Sequence, residues 1–273
     1  MNIYEKMVEL NSKNVSFVQV TVTAKEGHGS QIPGAKMLVT SSGNIFGTIG
    51  GGAIEHLAVK TAIEMIQKSS TPTTLTYQLS DDNQIVDSIK TGMVCGGSMS
   101  LFYDCALSKP NLYIFGAGHI GKAMASIIKN LEYNLTIFDC RTEIDSNIDG
   151  ADSVLIDDYV KIINDNNIKD DSYIVIATHT HECDYKILSN IVSSSIQYKY
   201  LGVIGSKKKS RIILSRLKSE VKEISLEKLK SIYSPIGLKI GGTTPHEIAV
   251  SIIAELQAVK NGISEIKHAS ELN

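Results

Sequence analysis

The spacing of apolar and polar positions changes along the chain, and each change predicts a helix or a strand. Apolar positions repeat with a helical period at 3–12 and 53–68, which predicts two amphipathic helices. Alternating or β-branched runs in the same region predict strands at 15–23, 36–40, 44–48, 73–79 and 98–105. Neither period is present at 81–97, so that segment is predicted to be irregular or partly helical. We therefore expect an N-terminal α+β domain over residues 1–107.

Predicted strands and helices alternate in the rest of the chain. Short apolar runs predict strands at 112–115, 135–138, 153–156, 173–177 and 200–204. Helical spacing lies between these runs at 120–131, 158–167, 183–195 and 206–220. Such alternation is typical of a doubly wound parallel sheet, so we predict a Rossmann-like domain over residues 111–273. The segment Ser108-Lys109-Pro110 is the predicted linker between the two domains.

A final helix is predicted to cap the Rossmann-like domain. Thr244 is a typical N-cap, Pro245 suits the first helical position, and Glu247 completes a capping box. Apolar positions then continue at helical spacing as far as Val259. The predicted fold class is therefore α/β, with an α+β domain followed by a Rossmann-like domain.

A GxGxxG motif stands between the first strand of the second domain and its helix. Gly116 permits a tight turn, Gly118 lets a pyrophosphate approach the backbone, and Gly121 lets the helix pack closely on the strand. The helix start offers free N–H groups to phosphate oxygens, and His119 lies on the same turn. This pattern predicts a dinucleotide-binding turn.

The second strand of the same domain ends in an acid. Asp139 lies where a carboxylate accepts a hydrogen bond from a ribose hydroxyl, which favours NAD as the ligand. Arg141 lies close by and would accommodate the 2′-phosphate of NADP. The sequence leaves these two cofactors open.

Three consecutive glycines, Gly50, Gly51 and Gly52, precede the helix at 53–68. Their backbone N–H groups could converge on an anion at the helix start, with Glu55 in the first turn. In the alternative, the glycines form a sharp turn and Glu55 only complements the helix dipole. We favour the anion site, because one glycine would suffice for a turn.

Cys95 is followed directly by Gly96 and Gly97. A thiol beside an open Gly-Gly loop has little bulk above its sulfur, and neighbouring N–H groups would lower its pKa. The alternative is a small buried apolar residue, which is what most free cysteines are. The residues alone do not decide between these two interpretations.

Polar residues follow two further strands. The run HTHECD at 179–184 includes His181 and Asp184, and it would serve either as a metal site or as lining of the ligand crevice. Gly205, Ser206 and Lys207 begin a basic segment after the next strand. That segment would bind phosphate at a helix start or remain a solvated basic turn.

The amino-acid composition argues against some classes of binding partner. The formal net charge is −2, which gives no basic excess to hold a nucleic acid. No apolar run approaches the roughly 20 residues of a membrane span, and the first residues do not form a secretory signal. The four cysteines contain no CxxC pair, as expected for reduced thiols. We therefore expect a soluble cytoplasmic protein that binds neither nucleic acid nor membrane.

Six motifs, taken together and in order, resemble the xanthine dehydrogenase accessory protein family, XdhC/CoxI. They are GAKMLVT (34–40), GTIGGGAIE (47–55), MVCGGS (93–98), IFGAGHIG (114–121), LGVIGSKKK (201–209) and SPIGLKIGGTTPHEIAVSIIAE (234–255). The resemblance implies a maturation factor of a molybdenum hydroxylase that is not itself an enzyme. Such a factor binds the molybdenum cofactor, a molybdopterin, and supports its sulfuration and its insertion into the apo-enzyme. The implied partners are a molybdenum hydroxylase client and a cysteine desulfurase, and a homodimer is a further option.

The resemblance also implies site residues. The residues that match family motifs by position are 50–52, 95–97, Gly116, Gly118, Gly121, Asp139, His181 and Asp184. Ala53 stands where many members carry a cysteine, and Thr180 stands where an acid is usual. This chain therefore offers Cys95 as the candidate thiolate contact for molybdenum.

Two alternatives stay open on sequence grounds. One is an NAD(P)-binding oxidoreductase that uses the Rossmann-like domain, although its sequence offers no identifiable proton donor. The other is an interaction scaffold, in which the apolar stripe of the last helix contacts a client or a second copy.

Overall fold

The computed structural model describes residues 2–27, 32–79, 88–91, 97–165, 167–221 and 224–264. The chain forms two compact units, Met1–Ser108 and Lys109–Asn273. The predicted linker includes the point of division between them. Within the described residues, no helix is both long and apolar enough to cross a membrane.

Within the described residues, the first unit contains a mixed sheet and two helices. Its elements are α1 (Ile3–Ser12), β1 (Phe17–Glu26), β2 (Lys36–Thr40), β3 (Ile45–Gly47), α2 (Gly52–Gln67), β4 (Thr73–Gln78), β5 (Ser88–Lys90) and β6 (Ser98–Ala106). The strand order is β3-β2-β1-β6-β4-β5, with β5 parallel to β4 and all other neighbours antiparallel. These elements confirm the predicted α+β arrangement.

The core of the first unit lies between the sheet and α2. Val18, Val20 and Val22 alternate along β1 and are buried with Ile54 and Ala58 of α2, as the period of two predicts. The prediction that 81–97 lacks strand is wrong for β5. Three residues are too short to show a period, and they extend because β4 pairs with them.

The second unit is a six-stranded parallel sheet. Its strands are β7 (Asn111–Phe115), β8 (Asn134–Asp139), β9 (Ser153–Ile156), β10 (Ser172–Ile176), β11 (Tyr198–Val203) and β12 (Ile232–Tyr233). Its helices are α3 (His119–Ile128), α4 (Tyr159–Asn164), α5 (His181–Ser193), α6 (Lys207–Glu220), α7 (Leu226–Lys230) and α8 (Pro245–Lys260). The strand order β12-β11-β10-β7-β8-β9 reverses direction between β7 and β10. This reversal is the topological switch point of a doubly wound fold, which confirms the predicted Rossmann-like class.

Helices cover both faces of this sheet. Residues of α3 and α8 form one apolar cluster with the sheet, and residues of α4, α5 and α6 form the other. Lys260 at the end of α8 donates to the carbonyl of Glu132 just beyond α3, and its Nζ lies over the ring of Tyr133. The two helices therefore end near each other. Thr244, Pro245 and Glu247 start α8 with the predicted capping box.

Candidate functional site

Two glycines of the turn between β7 and α3 are required by steric contacts. Gly116 has φ +120°, and a Cβ atom there would clash with the carbonyl oxygen of Ala177 at the end of β10. A Cβ atom on Gly121 would clash with the carbonyl oxygen of Gly116. The turn therefore lies against β10 on one side and brings α3 close to β7, as the motif predicts.

Gly118 has no such constraint. Its φ is −76°, and apart from its chain neighbours no described atom lies within 4 Å of the position that a Cβ would take. Gly118 is the N-cap of α3 and provides no side-chain hydrogen bond to the helix start, where the side chain of His119 is exposed. The backbone there faces open space, which is the arrangement that phosphate binding at a helix start requires.

The carboxylate of Asp139 is bound within the protein itself. Its side chain is 0% exposed; Oδ2 accepts from Ala117 N at 2.7 Å and from Arg141 Nη2 at 2.8 Å. Oδ1 accepts from the backbone N of Arg141 at 3.0 Å and from its Nε at 2.9 Å. A carboxylate offers about four acceptor sites, so none is left for a ribose hydroxyl. A ribose hydroxyl would reach Asp139 only if Arg141 moved, and the role of Asp139 as a ribose acceptor stays a prediction.

Asp139 and Arg141 stabilise each other's charged forms. Burial opposes ionisation of Asp139, but hydrogen bonds from Arg141 and from the N–H of Ala117 outweigh it and lower the pKa of the carboxyl. Asp139 in turn raises the pKa of Arg141. The Arg141 side chain is 28% exposed, so its outer face is accessible beside the glycine turn.

The loop after β10 is fixed by a buried acid. Oδ1 of Asp184 accepts from the backbone N of Thr178 at 3.0 Å and from its Oγ1 at 2.7 Å. Burial raises the pKa of Asp184 despite these bonds. His181 is half exposed at the start of α5, with Nδ1 3.6 Å from Oδ2 of Asp184. Asp184 therefore holds the loop, and His181 is the accessible member of this pair.

The alternative of a metal site at 179–184 is not supported. Among the residues that the structure describes, no group of three or more His, Cys, Asp and Glu side chains could hold a metal ion. Thr180 instead caps α5 by accepting from the N–H of Cys183. The local sequence therefore builds a helix start at the carboxyl edge of the sheet.

The basic segment after β11 starts α6. Ser206 is its N-cap and accepts from the N–H of Lys209 at 3.4 Å, while the side chain of Lys207 is exposed. Gly205 has ordinary backbone angles and normal contact distances. These three predicted residues lie two strands away from the GxGxxG turn, because β10 separates β11 from β7.

In the first unit, Glu55 occupies the predicted anion position. Its Oε2 accepts from Thr48 Oγ1 at 2.6 Å, from Ile49 N at 3.1 Å and from Gly51 N at 3.1 Å. Burial opposes ionisation of Glu55, but these three hydrogen bonds outweigh it and lower its pKa. The anion that the glycine loop binds is therefore the protein's own carboxylate.

The three successive glycines have a conformational reason of their own. Gly50, Gly51 and Gly52 have φ values of +125°, +71° and +66°, so each adopts a conformation that favours glycine. Backbone conformation alone therefore accounts for all three residues. Gly97 has φ +96°, and a Cβ there would clash with the carbonyl oxygen of Glu26, which gives this glycine a structural reason as well.

Cys95 and Gly96 lie outside the described residues, so their predicted roles remain predictions. The described cysteines, Cys105, Cys140 and Cys183, are free and partly buried. Burial raises the pKa of the Cys105 and Cys140 thiols, which makes neither a good thiolate donor.

The structure brings together the ends of three strands in the second unit. Gly116 lies against Ala177 after β10, and the N–H of Ala117 binds Asp139 at the end of β8. Sequence reasoning found the glycines but missed the anchoring of Arg141 on Asp139. The signal for this contact in the sequence is that an acid and a base stand two residues apart.

This fold defines a protein with a Rossmann-type unit whose glycine turn has open backbone at Gly118. Two family models match the chain, the XdhC Rossmann domain over residues 112–256 and the XdhC and CoxI family over residues 10–78. The chain belongs to the XdhC and CoxI family of xanthine dehydrogenase accessory proteins, which confirms the resemblance seen in its motifs.

Individual relatives agree with this assignment. The chain is 28% identical to YqeB, an uncharacterised protein of Escherichia coli K12, over 96% of this chain and 47% of YqeB. It is 26% identical to a Bacillus subtilis protein named as a probable xanthine dehydrogenase component, over 58% of this chain and 45% of that protein. The chain thus spans about half the length of the curated relatives it matches.

A solved structure shares the fold. It is named as a xanthine dehydrogenase from Bacillus halodurans, with 21% sequence identity, 98% of both chains covered and a TM-score of 0.51. At this identity the likeness supports the fold of the chain and nothing finer.

Proposed function

We propose that this chain is a maturation factor of a molybdenum hydroxylase of the xanthine dehydrogenase type. In this role it binds the molybdenum cofactor, supports its sulfuration and helps to insert it into the apo-enzyme. The observation that carries the proposal is the match of both family models in chain order, one to each unit. The proposed partners are the client hydroxylase and a cysteine desulfurase that supplies the sulfur.

The chemistry of the described residues limits where this cofactor fits. Molybdopterin carries a phosphate and a dithiolene, so it needs hydrogen-bond donors that are not already occupied. The N–H groups of Ile49 and Gly51 are occupied by Glu55, so a phosphate fits there only if Glu55 moves. In the second unit, the open backbone at Gly118 is available to a phosphate of a ligand that this unit binds by itself. Cys95 is the proposed thiolate contact for molybdenum.

The test is the cofactor content of the full chain, purified without oxygen from cells that make the cofactor. We expect molybdenum and a pterin to co-purify with the wild-type chain, and Cys95→Ala to retain less of both. Cys105→Ala is the matched control, because that thiol is partly buried with a raised pKa and should leave retention unchanged. Absence of pterin from wild type and variants alike, also after anaerobic reconstitution, would overturn the proposal.

A second candidate function is the binding of NAD or NADP by the Rossmann unit, as in a nicotinamide-dependent oxidoreductase. The open position at Gly118, beside two glycines that are required sterically, is the observation that favours it. Calorimetric titration of the full chain with both dinucleotides tests it. Binding of either supports the candidate, and no heat of binding up to millimolar nucleotide removes it.

A further inference from the structure

The charge at the end of β8 differs from what an NAD-binding crevice requires. In that type of site, a free carboxylate at the end of the second strand accepts hydrogen bonds from the ribose hydroxyls. Here each oxygen of Asp139 accepts two hydrogen bonds from within the protein, and the side chain is fully buried. A ribose hydroxyl would have to displace Arg141 to reach it.

Arg141 presents the opposite charge at the same place. Its Nε and Nη2 bind the two oxygens of Asp139, which fixes the plane of the guanidinium. Nη1 has no hydrogen-bond partner within the part of the chain that the structure describes, and the side chain is 28% exposed. A guanidinium held in this way keeps a donor for a second anion and loses little side-chain entropy when that anion binds.

The same pair is tied to the glycine turn. Ala117, whose N–H binds Asp139, lies between Gly116 and Gly118, so the position of Arg141 is set relative to the phosphate-binding backbone. A dinucleotide whose pyrophosphate lies at Gly118 places its adenosine ribose towards the end of the second strand. The group that meets Arg141 is then the substituent on the 2′ oxygen of that ribose.

We propose that the Rossmann unit selects a dinucleotide with a 2′-phosphate, of the NADP type, over NAD. Arg141 is the specificity-determining residue that contacts the phosphate, and Asp139 is a positioning residue that orients Arg141. This inference rests on the proposed dinucleotide binding and specifies its ligand.

The test is calorimetric titration of the full chain with NADP and with NAD in the same buffer. One additional charge-assisted contact predicts NADP binding about 10- to 100-fold tighter than NAD. Arg141→Ala should abolish or reverse this preference, because it removes the donor for the phosphate and frees two acceptor sites on Asp139. The N–H groups of Ala117 and of residue 141 would still hold the carboxylate, so the loop keeps an anchor.

Further variants separate specificity from folding. Arg216→Ala is the matched control, because Arg216 also forms ion pairs with carboxylates, those of Glu182 and Glu220. Arg216 lies well along α6 from its N-terminus, so this variant should leave the ratio of NADP affinity to NAD affinity unchanged. Arg141→Lys keeps the charge without the fork and should weaken NADP more than NAD. It replaces Arg141→Ala if that variant does not fold by circular dichroism.

The outcomes are distinct. Equal affinity for both nucleotides, or a wild-type preference for NAD, would overturn the selectivity while leaving dinucleotide binding intact. A preference for NADP that survives Arg141→Ala and Arg141→Lys would overturn the role of Arg141. If the wild-type chain binds neither nucleotide, both the dinucleotide candidate and this inference fail. That result would not affect the proposed maturation function, which the retention of molybdenum and pterin tests separately.

Discussion

Asp139 lies where the motif predicts, and its carboxylate is occupied by partners within the protein. Its position at the end of β8 is the one that the sequence predicts, yet it serves the protein's own Arg141 and Ala117. Residue type and spacing predict where a side chain starts. They do not predict which groups occupy its acceptor positions, which Arg141, two residues further on, and the N–H of Ala117 take here.

The ion pair predicts a pH-dependent contribution to stability. The pKa of Asp139 is lowered in the folded chain, so its stabilisation is complete above the unfolded pKa of about 3.9 and is lost as the pH falls through the folded pKa. Asp139→Asn should therefore reduce the free energy of unfolding by about 1–3 kcal/mol at neutral pH. Urea titrations should show this difference shrinking only below about pH 4. A difference that stays constant into strong acid would contradict the ionised pair.

Two glycines of one turn offer a matched comparison. Gly121→Ala places a Cβ against the carbonyl oxygen of Gly116, so we expect loss of about 2 kcal/mol or more of stability. Gly118→Ala meets no atom within 4 Å and has an ordinary φ, so its effect on stability should stay within about 1 kcal/mol. Chemical denaturation gives the stabilities and calorimetry the nucleotide affinity. Gly118→Ala should weaken binding without unfolding the chain, and equal destabilisation by both variants would contradict this division of roles.

At the scale of elements, helix starts were the most predictable features. The capping box of Thr244 and Glu247 is local, and the structure contains it. The short β12 and α7 were not predicted, because two and five residues carry no readable period. At the start of α2, the number of glycines does not support an anion site, because all three adopt positive φ, which the sequence does not show.

The start of α2 predicts a stability effect for Glu55. Glu55→Ala leaves the N–H groups of Ile49 and Gly51 without their side-chain acceptor, so we expect a loss of about 1–2 kcal/mol, as for other helix-start caps. Glu55→Gln keeps an acceptor oxygen and should lose less. Urea denaturation of the three chains measures this order. If Glu55→Ala is as stable as wild type, the carboxylate does not hold the glycine loop.

At the scale of the whole molecule, the sequence predicted the two-part organisation and the family. The alternation of predicted strands and helices identified the parallel sheet. Six motifs in order identified the family, which the family models confirm. The candidate site was less predictable. Its glycines belong to a motif that the sequence displays, whereas the partners of Asp139, Asp184 and Glu55 depend on which backbone groups the folded chain brings near them.

The central claim is that this chain matures a molybdenum hydroxylase. The most direct measurement is the activity and sulfurated cofactor content of the client hydroxylase, purified from cells with and without the gene for this chain. We predict that the client from cells without the chain is inactive and lacks the cofactor or its terminal sulfur, and that the wild-type chain restores both. A client that is fully loaded and active without the chain would contradict the claim.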